Sequence, residues 1–181
     1  MQADLAGKHV VLSTAAGVCG LQRYRRAPRL YAASLVCARA TAEAIRAAGA
    51  KEVCFVITGE WVDRDGDEDI ACADYIQSLL SGDQPAPEEF AQRVRNSDFG
   101  QRFTAGTWPN LPLADLDLAA QPDLFNFAMP VISEDEQLII RRTSAATFQF
   151  GAIHTALDDR SNLIYAVSHE RTSRQYSPTH S

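Results

Sequence analysis

The stretch from Arg29 to Thr58 constrains the fold more than any other part of the chain. "RLYAAS" is short, apolar and strand-like. "VCARATAEAIRAAG" is rich in alanine, and "EVCFVIT" is an apolar run of strand length. Alanine is the best helix former, and Gly49 stands where a left-handed residue ends a helix. An apolar run of that length reads as a strand buried on both faces. A strand, a helix and a strand in this order predict α/β architecture with a largely parallel sheet.

Elements on either side extend the pattern. "HVVLST" reads as a buried strand near the start, and "AGVCGLQRY" as a short helix entered through Gly17. Downstream, "GEWVDRDGD" is a polar loop and "EDIACADYIQSLLSG" a second good helix. Asp65 is its expected N-cap, with Glu68 three residues on in capping-box spacing. Ile70, Ala73, Ile76 or Gln77, and Leu80 form its expected inner face. "PEEFAQRVRNS" is a third helix with Pro87 near its first turn. Residues 105–123 read as a loop with a short helical piece. "LFNFAMPVISEDEQLIIRR" reads as a hairpin around an acidic turn at Ser133–Glu136. The expected whole is a three-layer α/β/α domain over 1–142, with a mostly parallel or mixed sheet and a C-terminal β-hairpin. Residues 143–181 are a weakly patterned extension, expected to be partly disordered because the final stretch is polar.

Composition narrows the function classes. The 181 residues are 46% hydrophobic and 22% charged, with a net charge of -6. A nucleic-acid binder carries a basic footprint, so none is expected. Arg23, Arg25, Arg26 and Arg29 cluster, and a solvated face is their simplest reading. No run reaches membrane-spanning length and no signal peptide opens the sequence, so a cytoplasmic protein without a membrane partner is expected. Cys19, Cys37, Cys54 and Cys72 form no CxxC pair, which argues against zinc. They read as reduced apolar side chains. Cys37, at a helix start, is the one position where the dipole would favour a thiolate.

Two loops carry chemistry. Ligands of open α/β sheets bind at the carboxyl ends of strands. The Ser13–Gly17 loop offers backbone N–H groups and the Ser13 and Thr14 hydroxyls, which suits a phosphate. It is not a Walker A loop, since Gly7-Lys8 precedes the strand. A tight turn that binds nothing is the alternative. The acidic run "DRDGDED", Asp63 to Asp69, follows the strand "EVCFVIT" and should lie at the same edge. Carboxylates there suit Mg²⁺, although acids in a first helical turn also satisfy the helix dipole alone. Mg²⁺ beside held phosphate suits phosphoester hydrolysis. The four histidines form no cluster, and G-x-S-x-G is absent.

These loops, in this order, resemble a known family. "GKHVVLSTAAGVCGL" is similar to the "gk-vvl-TTNGT-al" segment of the 2-phosphosulfolactate phosphatases, the ComB family of coenzyme M biosynthesis. "YAASLVCARATAEAI" resembles its "a-SllNa-a-A". "EVCFVITGEW…DEDIACADYIQSLLSG" resembles "v-lv-aG…-ED-laA…-i-LL", and "LFNFAMPVISEDEQLIIR" the ending "fdfamPv…g-lv-r". The resemblance spans about residues 7–142. It implies a Mg²⁺-dependent hydrolase that releases phosphate from 2-phospho-3-sulfolactate, a small phosphorylated anion, on a three-layer α/β fold. It implies Ser13, Thr14, Gly17 and Ser34 as phosphate contacts, and Glu68 and Asp69 as the acidic pair that holds metal and carries catalysis. Ala73 matches the small residue after that pair. Ala16, Val18 and Cys37 stand where the family pattern has asparagine, threonine and asparagine, so three polar side chains are replaced. Family members also carry an N-terminal half with "iDVlRATTT". The resemblance therefore implies the C-terminal half of such a protein, with a homo-oligomer or a partner chain supplying the rest, or a gene with a displaced start. A catalytically degenerate paralogue acting as an anion-binding or subunit-interaction module is the alternative.

Overall fold

A computed structural model describes residues 7–14, 16–58, 66–109 and 111–144, and the backbone alone of 163–176. The expected strand, helix and strand are present as β1 (Arg29–Ala32), α2 (Ala38–Ala47) and β2 (Glu52–Thr58). A short helix, α1 (Gly17–Arg23), precedes β1. A 3₁₀ turn, Leu35–Cys37, feeds α2. The helix α2 stops as the sequence predicts. Gly49 takes φ 66°, and the Ala48 and Gly49 amides donate back to the Ala44 and Arg46 carbonyls.

Four further helices follow: α3 (Asp67–Ser81), α4 (Pro87–Asn96), α5 (Asp98–Ala105) and α6 (Leu113–Ala119). The first, second and fourth match the expected elements. α5 was not expected; Ser97 starts it by accepting the Gly100 N–H at 3.0 Å. The strands β3 (Phe127–Glu134) and β4 (Gln137–Ile140) form the expected antiparallel hairpin. Its turn residues Asp135 and Glu136 take φ 48° and 64°, the paired left-handed conformation that matches strand twist. A short β5 (Thr143–Ser144) pairs with β3, and the first part of β6 (Leu163–Tyr176) pairs in parallel with both β1 and β2, while its last residues, Ser173 to Tyr176, pair β2 in the reverse order.

The sheet runs β2-β6-β1-β3-β4 and is mixed: parallel around β6, antiparallel from β1 outward. Successive residues of its strands serve opposite faces. Tyr31, Val53, Phe55 and Ile57 join the larger core with Ile45, Tyr75, Ile76 and Leu79. Leu30, Cys54 and Val56 join a smaller core with Leu21 of α1 and Val131 of β3. The domain is thus three-layered, and among the described residues α1 is the helix on its thinner side. No helix among the described residues is long and apolar enough to cross a membrane.

Three local expectations are corrected. Residues 8–14 form no strand: Val10, Val11 and Leu12 are 66%, 92% and 57% exposed. Their β-branched side chains favour extended backbone, but a strand needs a partner, and β6 occupies the place beside β1 and β2. The α3 cap is Gly66, with φ 64° and no side chain to accept a hydrogen bond, so the expected Asp65–Glu68 capping box does not start this helix. Asp65 and the rest of the 59–65 loop lie outside the described residues, as do 145–162. The inner face of α3 is also rotated: it buries Ala71, Cys72, Tyr75 and Leu79 as well as Ala73 and Ile76, and leaves Ile70 and Leu80 partly covered.

Glycine substitutions separate steric from conformational constraint in this frame. A Cβ on Gly100 would stand 2.6 Å from the Arg95 carbonyl oxygen, and nearer still to that of Val94. A Cβ on Gly49 meets nothing within 4 Å, so only its positive φ resists substitution. Gly49→Ala should cost about 1–2 kcal/mol. Gly100→Ala should cost more, because backbone must move. Urea unfolding of the two variants checks the order.

Candidate functional site

The strands β1 and β2 run in one direction, since each is parallel to β6. The segments leaving their C-terminal ends therefore share one edge of the sheet. Ser34 and the start of α2 follow β1. The start of α3 follows β2 in the chain, the residues 59–65 between them lying outside the described residues. This is the edge where an open α/β sheet binds ligands.

Three long-range hydrogen bonds draw this edge together. Asp123, from the loop before β3, accepts the Arg39 backbone N–H at 2.8 Å through Oδ1. Its Oδ2 accepts Arg39 Nε at 2.9 Å and the Tyr75 hydroxyl at 2.6 Å. Arg39 is the second residue of α2, so Asp123 caps that helix from 84 positions away. Its own amide donates to the Leu35 carbonyl, and the Phe125 amide donates to Val36. Burial, and then the hydrogen bond to Asp123, push the Tyr75 phenol up to about 12, so it stays a donor.

The sequence-derived residues are distributed over this frame as follows. Asp69 stands in the first turn of α3. Burial, and secondarily the Glu68 charge, push its carboxyl up to about 8. Asp69, Cys37 and Asp123 each add to the upward pressure that burial already places on the Cys72 thiol, which places the four groups in one neighbourhood. Ser34 adjoins them: its carbonyl accepts the Cys37 backbone N–H at 3.0 Å and the Cys37 thiol at 3.5 Å. Glu68 is half-buried beside Asp69. Ser13 and Thr14 are exposed in the irregular N-terminal run, and Thr14 accepts the Val18 N–H at 3.4 Å. Gly17 opens α1 on the thinner side of the sheet. On that same side, the buried Thr58 hydroxyl at the end of β2 makes no hydrogen bond among the described residues.

A thiolate at Cys37 is corrected. Burial raises its pKa, outweighing its hydrogen bonds with the Thr41 hydroxyl and the Ser34 backbone. Sequence reasoning also missed Asp123, Arg39 and Tyr75. Arg39 lies within the quoted "SLVCAR" stretch, but nothing local marks a partner so far along the chain.

Asp69, half-buried with one carboxyl oxygen enclosed and its pKa strongly raised, is the candidate functional position at this edge of the α/β sheet. The 2-phosphosulpholactate phosphatase family model matches residues 1–129. The chain belongs to that family. No curated protein and no solved structure matches it.

The Asp69 environment has a consequence for stability. An unfolded aspartate titrates near pH 4. Between that value and about 8 the folded chain holds a proton that the unfolded chain has released. Stability is therefore fullest at the acid end of this window and falls as pH rises through it. Asp69→Asn should flatten this dependence and raise Tm at pH 8–9, by roughly 2–4 °C for each kcal/mol recovered. Parallel thermal melts of the two proteins from pH 5 to 9 check it; equal slopes would contradict the assignment.

Proposed function

We propose that the chain is a Mg²⁺-dependent phosphomonoester hydrolase that releases phosphate from 2-phospho-3-sulfolactate. The family match supports the substrate class, and the buried Asp69 at the strand edge carries the assignment of the site. Glu68 and Asp69 fit the metal by donor chemistry. Mg²⁺ takes oxygen ligands, commonly one or two carboxylates completed by water and substrate phosphate. Among the described residues no group of three or more His, Cys, Asp or Glu side chains gathers as a metal site. When bound, Mg²⁺ would neutralise phosphoryl oxygens and acidify a water.

The residues of the chain do the rest. Ser13, Thr14, Gly17 and Ser34, by their places in the family pattern, hold the phosphate. Glu68 and Asp69 orient the water. Its oxygen bonds to phosphorus as the ester P–O bond breaks, and the leaving alkoxide takes a proton to give the free alcohol. Ala16, Val18 and Cys37 offer fewer hydrogen bonds to the phosphate than the family pattern does, so turnover should be modest.

The exposed run Val10–Leu12 favours a second reading, a module that contacts another subunit without turnover. Phosphate release by the purified chain separates the two. Release with Mg²⁺ that stops in EDTA, and falls at least about 100-fold in Glu68→Gln/Asp69→Asn, is the expected result. A folded chain that releases none would overturn the hydrolase reading.

A further inference from the structure

We propose that Arg39 is the specificity residue of this site, receiving the non-reacting anionic group of the substrate, a sulfonate or a carboxylate. The inference rests on the phosphatase reading above and deepens it. The contrast between two arginines carries it. Arg93 spends all three guanidinium nitrogens on protein: Nε and Nη2 on Asp67 at 3.5 and 2.6 Å, and Nη1 on Asp74 at 2.9 Å. That is a closed clamp between α4 and α3.

Arg39 is held differently. Its Nε donates to Asp123 at 2.9 Å and its Nη2 to the Tyr75 hydroxyl at 3.0 Å. Among the described residues Nη1 makes no hydrogen bond. The side chain is 49% exposed, whereas Asp123 is 20% exposed. One edge of the guanidinium is thus fixed from inside and the other is presented outward. A planar fork with its orientation already set recognises carboxylate-like anions at little ordering cost.

Position supplies the second half of the argument. Arg39 lies in the first turn of α2, a few residues past Ser34, at the edge that also carries Asp69. Asp123, which holds Arg39, acts on the same Cys72 thiol as Asp69 does. A small substrate with its phosphate at the acidic pair would bring its other charged end within reach of this cation. Glu68 brings a further carboxylate to this edge, so an anionic tail needs a fixed positive partner there.

Calorimetry on the full chain tests this with 3-sulfolactate, lactate, isethionate and inorganic phosphate as separate ligands. The proteins are wild type, Arg39→Met and Arg39→Lys, each first shown to be folded by its thermal melt. Arg39→Met should weaken 3-sulfolactate about 10–100-fold and leave phosphate within about threefold. Arg39→Lys, which keeps the charge but not the fork, should recover part of the loss and stands in if Arg39→Met does not fold. Loss confined to isethionate identifies a sulfonate contact, and loss confined to lactate a carboxylate contact; both support the proposal. Equal binding by wild type and variants, equal loss of phosphate and tail ligands, or no tail binding by wild type overturns it. Failure of phosphate alone to bind wild type counts against the phosphatase reading and leaves the Arg39 comparison decisive on its own.

Discussion

One carboxylate holds the functional edge together. Asp123 accepts from the Arg39 amide, the Arg39 guanidinium and the Tyr75 hydroxyl, so α2, α3 and the approach to β3 meet at its two oxygens. Hydrogen bonds to a charged group contribute about 1.5–3 kcal/mol each. Asp123 takes a left-handed φ of 59° to make them, a conformation that Asp tolerates better than most residues. Its negative charge also sits at the positive end of α2. Without this contact the start of α2 would lose its cap, and Arg39 would lose the partner that fixes its direction.

The same edge carries the opposite kind of interaction. Asp69 is placed where burial and Glu68 both disfavour its charge. A chain selected for stability alone would put an amide or an apolar residue there. A divalent cation beside Asp69, as proposed above, would favour its negative form. Functional sites regularly carry local instability of this sort, offset by packing elsewhere. Here the offset is the larger core, where Tyr75, Ile76 and Ile45 are almost wholly enclosed.

What the sequence revealed follows the range of the forces involved. The helix α2 was readable because alanine content and Gly49 act within a few residues. The hairpin β3–β4 was readable because its acidic turn lies between two apolar runs. "HVVLST" misled for a related reason: β propensity states a fit to a sheet, not membership of one, and the place at β1 and β2 went to a strand from the far end of the chain. The acidic pair Glu68 and Asp69 stood out locally, but its environment did not. Burial of Asp69 depends on tertiary packing, which no spacing rule records. The Asp123–Arg39 contact, spanning 84 positions, is invisible to any local pattern.

The central claim is that Asp69 is a buried acid whose charge a divalent cation would stabilise. Carboxyl-carbon NMR on aspartate-labelled protein, titrated from pH 4 to 10 with and without Mg²⁺, tests it most directly. The account predicts one carboxyl that disappears in Asp69→Asn, titrates near 8 in EDTA, and moves down by at least about one unit in saturating Mg²⁺. An Asp69 carboxyl that titrates near 4, or one near 8 that Mg²⁺ leaves unmoved, would contradict it.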